Sequence, residues 1–440
     1  NSKPFVFNSA IAVNRYKLNK FEEHAVVDNN QQQALRPAST ASFDMGRSYW
    51  QNKQVNVTCL HELGYRGQGM TIAVMDIGFN SVDTNPLFDS LRNRNGILGT
   101  RDFVNGGNSV YEDPSHGAHV LSCMAAIKPG VIMGSAPRAD YWLLRTEEGG
   151  SETISEEYNW VRGAEFADSV GADILTTSLG YTTFDNSTQN HTYATLNGKT
   201  APMSIAATMA ARKGMFVLNA AGNEGGGSWN YISVPADADS ICTVGAIDTL
   251  GSVAGFSGVG PTADGRKKPD LVARGVSTWI GDVNGTCFAG NGTSFSTPVL
   301  AGAVACFWQG RRHHSNMTIL QLLKSTASNV SNPDNSKGWG IPDMCSIPIG
   351  IESFGTHEFT NDFIVSPNPF NNLVTIDVYN KNAKFVSLQI VDVVGKVCKQ
   401  FNELSTNSSI VVNTSELTNG IYFLQVQTSA GIKTKKIIKH

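Results

Sequence analysis

Three reactive side chains stand where an apolar run meets glycine or a small polar residue. Asp76 ends TIAVMD and precedes Ile77-Gly78, His116 lies in DPSHGAHVLSCMAA, and Ser294 lies in GNGTSFSTPVLAGAVA. Peptide hydrolysis by a serine needs an activated hydroxyl, an oriented imidazole to take its proton and donors for the oxyanion, and these residues are candidates to supply them. An isolated serine ahead of a helix is ordinarily an N-cap. Ser294 therefore gains chemical meaning only in company with the other two.

Such roles require particular elements. TIAVMD reads as a buried strand, and a carboxylate at a strand's C-terminal end lies where α/β sheets place their ligands. Ser294 precedes a long apolar helical run, so its hydroxyl belongs at a helix N-terminus, where unpaired backbone N–H groups stabilise developing negative charge. His116 opens another helical run, and Gly117 beside it permits close approach of backbone or substrate. From Gly69 onward strand-length runs alternate with helical ones: MTIAVMD, AHVLSCMAAI, ADYWLLRT, EEYNWVRGAEFADSV, ADILTTSLG, PMSIAATMAARKG, MFVLNAAG and SICTVGAI. That alternation predicts right-handed βαβ units and an α/β domain with a parallel sheet flanked by helices. After Cys345 the periodicity is lost through IPIGIESFGTHEFTND. Beyond it LVTIDVY, VSLQIVDV, SIVVNTS, GIYFLQVQT and IKTKKIIK, separated by Asn, Gly and Ser, predict a small antiparallel β-sandwich.

With 440 residues the chain exceeds one ordinary domain. A net charge of −3 exerts no broad pull toward nucleic acid or an anionic membrane. The longest apolar runs fall short of the ~20 residues of a membrane-spanning helix, so no transmembrane segment is expected. The seven cysteines include no CxxC pair and no Cys/His cluster at metal-ligand spacing, which argues against zinc. Cys123 and Cys306 sit in apolar helical runs and read as small buried hydrophobes. Cys59, Cys242, Cys287 and Cys345 are candidates for bridges in an oxidising compartment, with no pairing assignable. The amino terminus, Asn-Ser-Lys-Pro, has neither an initiator Met nor a basic n-region, which reads as an export signal already removed.

In their order along the chain, AVMDIGFN, HGAHVLS, LTTSLGY, NAAGNEG and NGTSFSTPVLAGAVA resemble the signature segments of subtilisin-like serine proteases. The resemblance implies a secreted serine endopeptidase acting on extended polypeptides. Ser294 becomes the nucleophile, His116 the general base and acid, Asp76 its orienting partner and Asn223 the oxyanion donor. It implies further that Ser178-Leu179-Gly180 and Gly149-Gly150-Ser151 flank the substrate as an added strand, with Ala220-Ala221-Gly222 lining the wall of the pocket for the residue before the scissile bond. The chemistry requires no cofactor. Related proteases often carry structural calcium, and DNSTQNHTY and LNGKT (185–200) hold suitable oxygens, but without EF-hand spacing they read better as a polar loop. Glu147, Glu148 and Glu152 read as a solvated acidic loop in preference to a subsite for basic residues. Departures include Gly-Ala-His after His116 where Gly-Thr-His is usual, Tyr181 for a small residue, and Trp229 and Tyr231 in a short segment after Asn223.

Residues 363–440 carry Pro-Asn-Pro, Asp-Val-Val-Gly-Lys and Asn-Gly-Ile-Tyr ahead of a Lys-rich end, and resemble the type IX secretion sorting domain of Bacteroidota. That implies engagement of the type IX machinery and a secreted or outer-membrane-surface location reached through the periplasm. The expected layout is a propeptide remnant or extension at 1–45, a subtilisin-like catalytic domain at 46–348, a linker at 349–362 and an Ig-like sandwich sorting domain at 363–440. Two other functions compete: a non-catalytic binding module on the same fold, and an acid-active serine-carboxyl peptidase. The second calls for a Glu base and an Asp at the oxyanion, where His116 and Asn223 stand.

Overall fold

Seven runs form one parallel sheet: β1 Thr71–Asp76, β2 Ile97–Asp102, β3 Asp140–Arg145, β4 Ile174–Thr177, β5 Phe216–Ala220, β6 Cys242–Ile247 and β7 Leu271–Arg274. Their order across the sheet is β2-β3-β1-β4-β5-β6-β7, and every neighbouring pair is parallel. The computed structural model describes residues 44–347 except 113, and then 363–366, 370–378, 385–392, 395–402, 409–428 and 431–439. The readings of the N-terminal extension through residue 43, of the 349–362 linker and of Pro-Asn-Pro at 367–369 lie outside the described residues. The chain divides into two compact units between Gly350 and Ile351.

Strands covered on both faces read as near-continuous hydrophobic runs, and β1, β4, β5, β6 and β7 are buried at every residue. Along β1 the alternation of side chains separates two cores. Ile72 and Val74 join the core that holds helices α1, His116–Ala125, and α4, Thr293–Gln309. Ala73 and Met75 join the core of α2, Ile154–Ser169, and α3, Pro202–Arg212. The α4 helix is buried from Thr293 to Trp308, as an all-round apolar helix must be. A capping box, with Thr153 N–H donating to Glu156 Oε2 at 2.9 Å, starts α2. The sequence patterns did not signal β2 and β7. The first is a partly exposed edge strand carrying Thr100 and Arg101, and the second has four residues.

Cys59 and Cys345, 286 positions apart, form a disulfide that ties the short helix Val57–Glu62 to the last described stretch of this unit. Cys123, Cys242 and Cys306 are buried free thiols, and Cys287 and Cys398 are partly covered ones. Closing so long a loop restricts the unfolded chain, so C59S/C345S should lower the unfolding free energy by about 2–4 kcal/mol. Urea denaturation of the oxidised protein and the double variant checks this; coincident midpoints would show that the bridge contributes nothing.

The second unit has two antiparallel sheets. One orders 363–366, 373–378 and 409–413; the other orders 397–402, 385–392, 420–428 and 431–439. Val365, Phe370, Val374, Ile376 and Val412 share one core with Leu388, Ile390, Tyr422, Leu424 and Ile437. Both sheets contribute to it, as in a sandwich. The strand at 397–402 escaped the sequence reading because it is an edge strand rich in polar residues, with Lys399 and Gln400 at its centre.

Candidate active site

Asp76 is the last residue of β1 and is wholly buried. Its Oδ1 lies 2.7 Å from His116 Nδ1 and also accepts the Ile77 N–H at 2.9 Å. Arg145 stands beside Asp76 in the sheet register, yet its guanidinium is directed to Asp102 Oδ2 at 3.1 Å and Ile77 O at 3.1 Å. The approach of α1 to the end of β1 depends on Gly117. A Cβ there would lie 2.3 Å from Gly78 O and 2.9 Å from Asp76 Cβ, so any side chain would push His116 away from its carboxylate.

Burial acts most strongly on the His116 imidazole and disfavours its cation. The charge and hydrogen bond of Asp76, with the charge of Glu147, together outweigh it and raise the pKa above the ordinary histidine value. Because a carboxylate accepts, the 2.7 Å hydrogen bond assigns the imidazole proton to Nδ1 on the Asp76 side and leaves Nε2 as the other ring nitrogen.

Ser294 is the second residue of α4 and is 8% exposed. Its Oγ donates to Ser178 O at 3.2 Å, while Ser178 Oγ donates to Ser294 O at 2.9 Å. Pro298, inside α4, explains the second bond: it has no N–H to pair with the Ser294 carbonyl, which is left for Ser178. No hydrogen bond joins Ser294 Oγ to His116 in this state, but both line one cleft of about 240 Å³. Asn223 Oδ1 accepts from Thr293 N–H and Thr293 Oγ1, both at 2.9 Å. These bonds assign the amide orientation and leave Nδ2 as the donor end. With Thr293 N–H taken and Phe295 N–H turned back to Gly292 O at 3.1 Å, the Ser294 N–H is the open donor at the start of α4.

The same cleft receives Ser178, Leu179 and Gly180 from just beyond β4, Ala220 from the end of β5, and Gly222 and Asn223. Ala221 is fully buried and belongs to the core of α2 and α3. Gly149 and Gly150 are exposed, with a Cβ on Gly149 reaching Ile77 and Pro114 at 3.3 Å; neither these glycines nor Ser151 lines the cleft. Tyr181 stacks on Phe184, and Tyr231 packs on Tyr193 with centroids 4.3 Å apart.

Ile77, Glu147, Glu224, Ser233 and Thr293 also line the cleft, which the sequence patterns did not indicate. Glu147 departs most from expectation. Glu148 and Glu152 are exposed, whereas Glu147 is largely covered. Burial first, then the charges of Asp76, Glu152 and Glu156, push its carboxyl up to about 8, with His116 acting the other way. The available signal was its position, one step beyond Thr146, whose N–H bonds Asp76 O at 3.1 Å.

In the oxygen-rich segment 185–200 the side-chain oxygens are engaged by protein donors. Asn186 Oδ1 accepts from Thr188 N–H, Asn190 Oδ1 from Phe184 N–H and Asn197 Oδ1 from Lys199 N–H. His191 Nε2 pairs with Glu157 Oε1 at 2.6 Å. Among the described residues no group of three or more His, Cys, Asp or Glu is arranged to hold a metal ion. A larger groove of about 670 Å³, between Pro86 and Arg138, lies away from His116 and Ser294. The cleft thus gathers a hydroxyl, an imidazole bonded to a buried carboxylate and two N–H donors, groups of the kind that acyl transfer uses.

Comparison with known proteins gives the same picture. Residues 67–340 match the Subtilase family, and residues 365–440 match the Secretion system C-terminal sorting domain. Subtilisin NAT of Bacillus subtilis subsp. natto is 32% identical over 283 residues, covering 63% of this chain and 66% of that protein. Subtilisin of Bacillus pumilus is 31% identical over 279 residues, covering 62% of this chain and 90% of that protein. The structure of MycP1 with its N-terminal propeptide removed aligns with a TM-score of 0.55 at 21% identity, covering 69% of this chain and 98% of that one. MycP1 from Mycobacterium smegmatis gives 0.54 at 20%, covering 72% and 90%. At those identities the two structures speak for the fold alone.

Proposed function

Because the chain belongs to the subtilase family, we propose that it is a serine endopeptidase that cleaves extended polypeptides through an acyl-enzyme on Ser294. The observation that carries this reading is the 2.7 Å bond between Asp76 and His116 in a cleft shared with Ser294 and Asn223. The Ser294 hydroxyl leaves the Ser178 carbonyl, turns to His116 Nε2, and attacks the substrate carbonyl as Nε2 takes its proton. Asp76 holds the imidazolium by Nδ1–H. Asn223 Nδ2 and the Ser294 N–H receive the oxyanion. Collapse breaks the C–N bond as the imidazolium returns its proton to the leaving amine. Water then repeats the sequence and releases the acid.

The substrate lies extended along Ser178-Leu179-Gly180, with Gly149-Gly150-Ser151 at the outer rim and Ala220 and Gly222 bounding the pocket for the residue that donates the scissile carbonyl. The catalytic domain spans 46–348, 349–362 is a linker, and 1–45 is a propeptide remnant or extension. Residues 363–440 hand the protein to type IX secretion machinery for export through the periplasm to the cell surface or beyond. No helix among the described residues is long and apolar enough to cross a membrane.

A fluorophosphonate probe should label Ser294 in the native protein, and the same preparation should degrade denatured casein. A folded protein that does neither would overturn the proposal in favour of a binding module.

A further inference from the structure

Sheet order places the cleft residues on opposite sides of the Ser178–Gly180 segment. Beyond β4, on the β5 side, stand Ala220, Gly222 and the buried Ser233; on the β1 and β3 side stand Ile77, His116 and Glu147. Successive side chains of an extended peptide point to opposite faces. If the residue donating the scissile carbonyl (P1) enters between Ser178–Gly180 and Ala220–Gly222, the residue before it (P2) turns toward His116, Ile77 and Glu147. The Glu147 carboxyl makes no hydrogen bond or ion pair with the described residues, although it lines the cleft.

Resting on the endopeptidase reading, we propose that Glu147 is a specificity-determining residue that selects peptides with a lysine or arginine immediately before the P1 residue. An uncompensated carboxylate in a partly desolvated wall is the feature such a side chain satisfies, and a polypeptide substrate is the ligand that brings the cation. The groups acting on Glu147 are the carboxylates of Asp76 at the end of β1 and of Glu152 and Glu156 at the start of α2, and the imidazole of His116 on α1. The Tyr181 phenol, beyond β4, feels its charge in turn. Arg145, two residues earlier, is directed to Asp102 and the Ile77 carbonyl.

Burial, then the charges of Asp76, Glu152 and Glu156, push the Glu147 carboxyl up to about 8. The preference for a basic P2 residue therefore strengthens as pH rises through that value, while the lysine, with a pKa of about 10.4, keeps its charge.

The test uses three peptides that differ only at P2, with Lys, Met or Glu, and reads kcat/KM from pH 6.5 to 9. The Lys:Met ratio should reach on the order of tenfold at pH 9 and be several-fold smaller at pH 6.5. Glu147→Gln should bring it to within about twofold at every pH, and Glu147→Lys should invert the Lys:Glu ratio. A ratio near one in the parent protein at pH 9, or one that survives both substitutions, overturns the subsite assignment while leaving the endopeptidase reading intact. Hydrolysis of none of the peptides, in a preparation that also spares denatured casein, overturns that reading and the subsite with it.

Discussion

Ser294→Ala should lower kcat on any peptide substrate by about 10⁶-fold, the size of loss known for the nucleophile of subtilisin. KM should change little, because the hydroxyl touches no part of the extended substrate other than the scissile carbonyl. Stability should also be nearly preserved. Among the described residues the only bond lost is Ser294 Oγ to Ser178 O, at 3.2 Å, worth about 1 kcal/mol, whereas the reciprocal bond from Ser178 Oγ to Ser294 O remains. Single-turnover hydrolysis beside a thermal melt separates these quantities. Undiminished turnover in a folded variant would remove Ser294 from the mechanism.

The second large effect is expected at Asp76. Replacement by Asn keeps the shape but removes the charge, and the amide can bind the imidazole in the wrong tautomer. A loss of about 10⁴-fold in kcat follows. The pH profile gives a readout that misfolding would not mimic. In the parent protein the imidazole pKa is raised, chiefly by Asp76 acting against burial. A base works only when unprotonated, so activity should climb through a midpoint above the unperturbed value of about 6.5. In Asp76→Asn the cation loses its partner and burial prevails, so the midpoint should move to lower pH. An unmoved midpoint would show that Asp76 does not govern His116.

Much of the grouping of Asp76, His116 and Ser294 was legible because each of these side chains lies at the edge of a strong local pattern. TIAVMD is apolar from Ile72 to Met75, just before the aspartate, since a central parallel strand is buried on both faces. The glycines ahead of Ser294 and the apolar run after it mark the N-terminus of a buried helix. Local pattern was silent on edge elements. The Ile97–Asp102 strand is only partly covered and carries Thr100 and Arg101, and so lacks a full apolar signature. The loop after Arg145 misled for a related reason. Glu147, Glu148 and Glu152 are chemically alike in sequence, and only the neighbours brought by folding distinguish the covered carboxyl from the exposed ones.

By itself, then, the order of residues determined which side chains were chemically competent, that strands and helices alternate in the first unit, and that short strands make up the second. Those properties depend on residue type and on spacing over a few turns. Three outcomes belonged to the tertiary structure: the partnership of Cys59 with Cys345 across 286 positions, the parking of Ser294 on Ser178 instead of His116, and the entry of Glu147 into the cleft wall. Each is decided by distance and burial between segments remote in the chain, and neither composition nor periodicity carries that information.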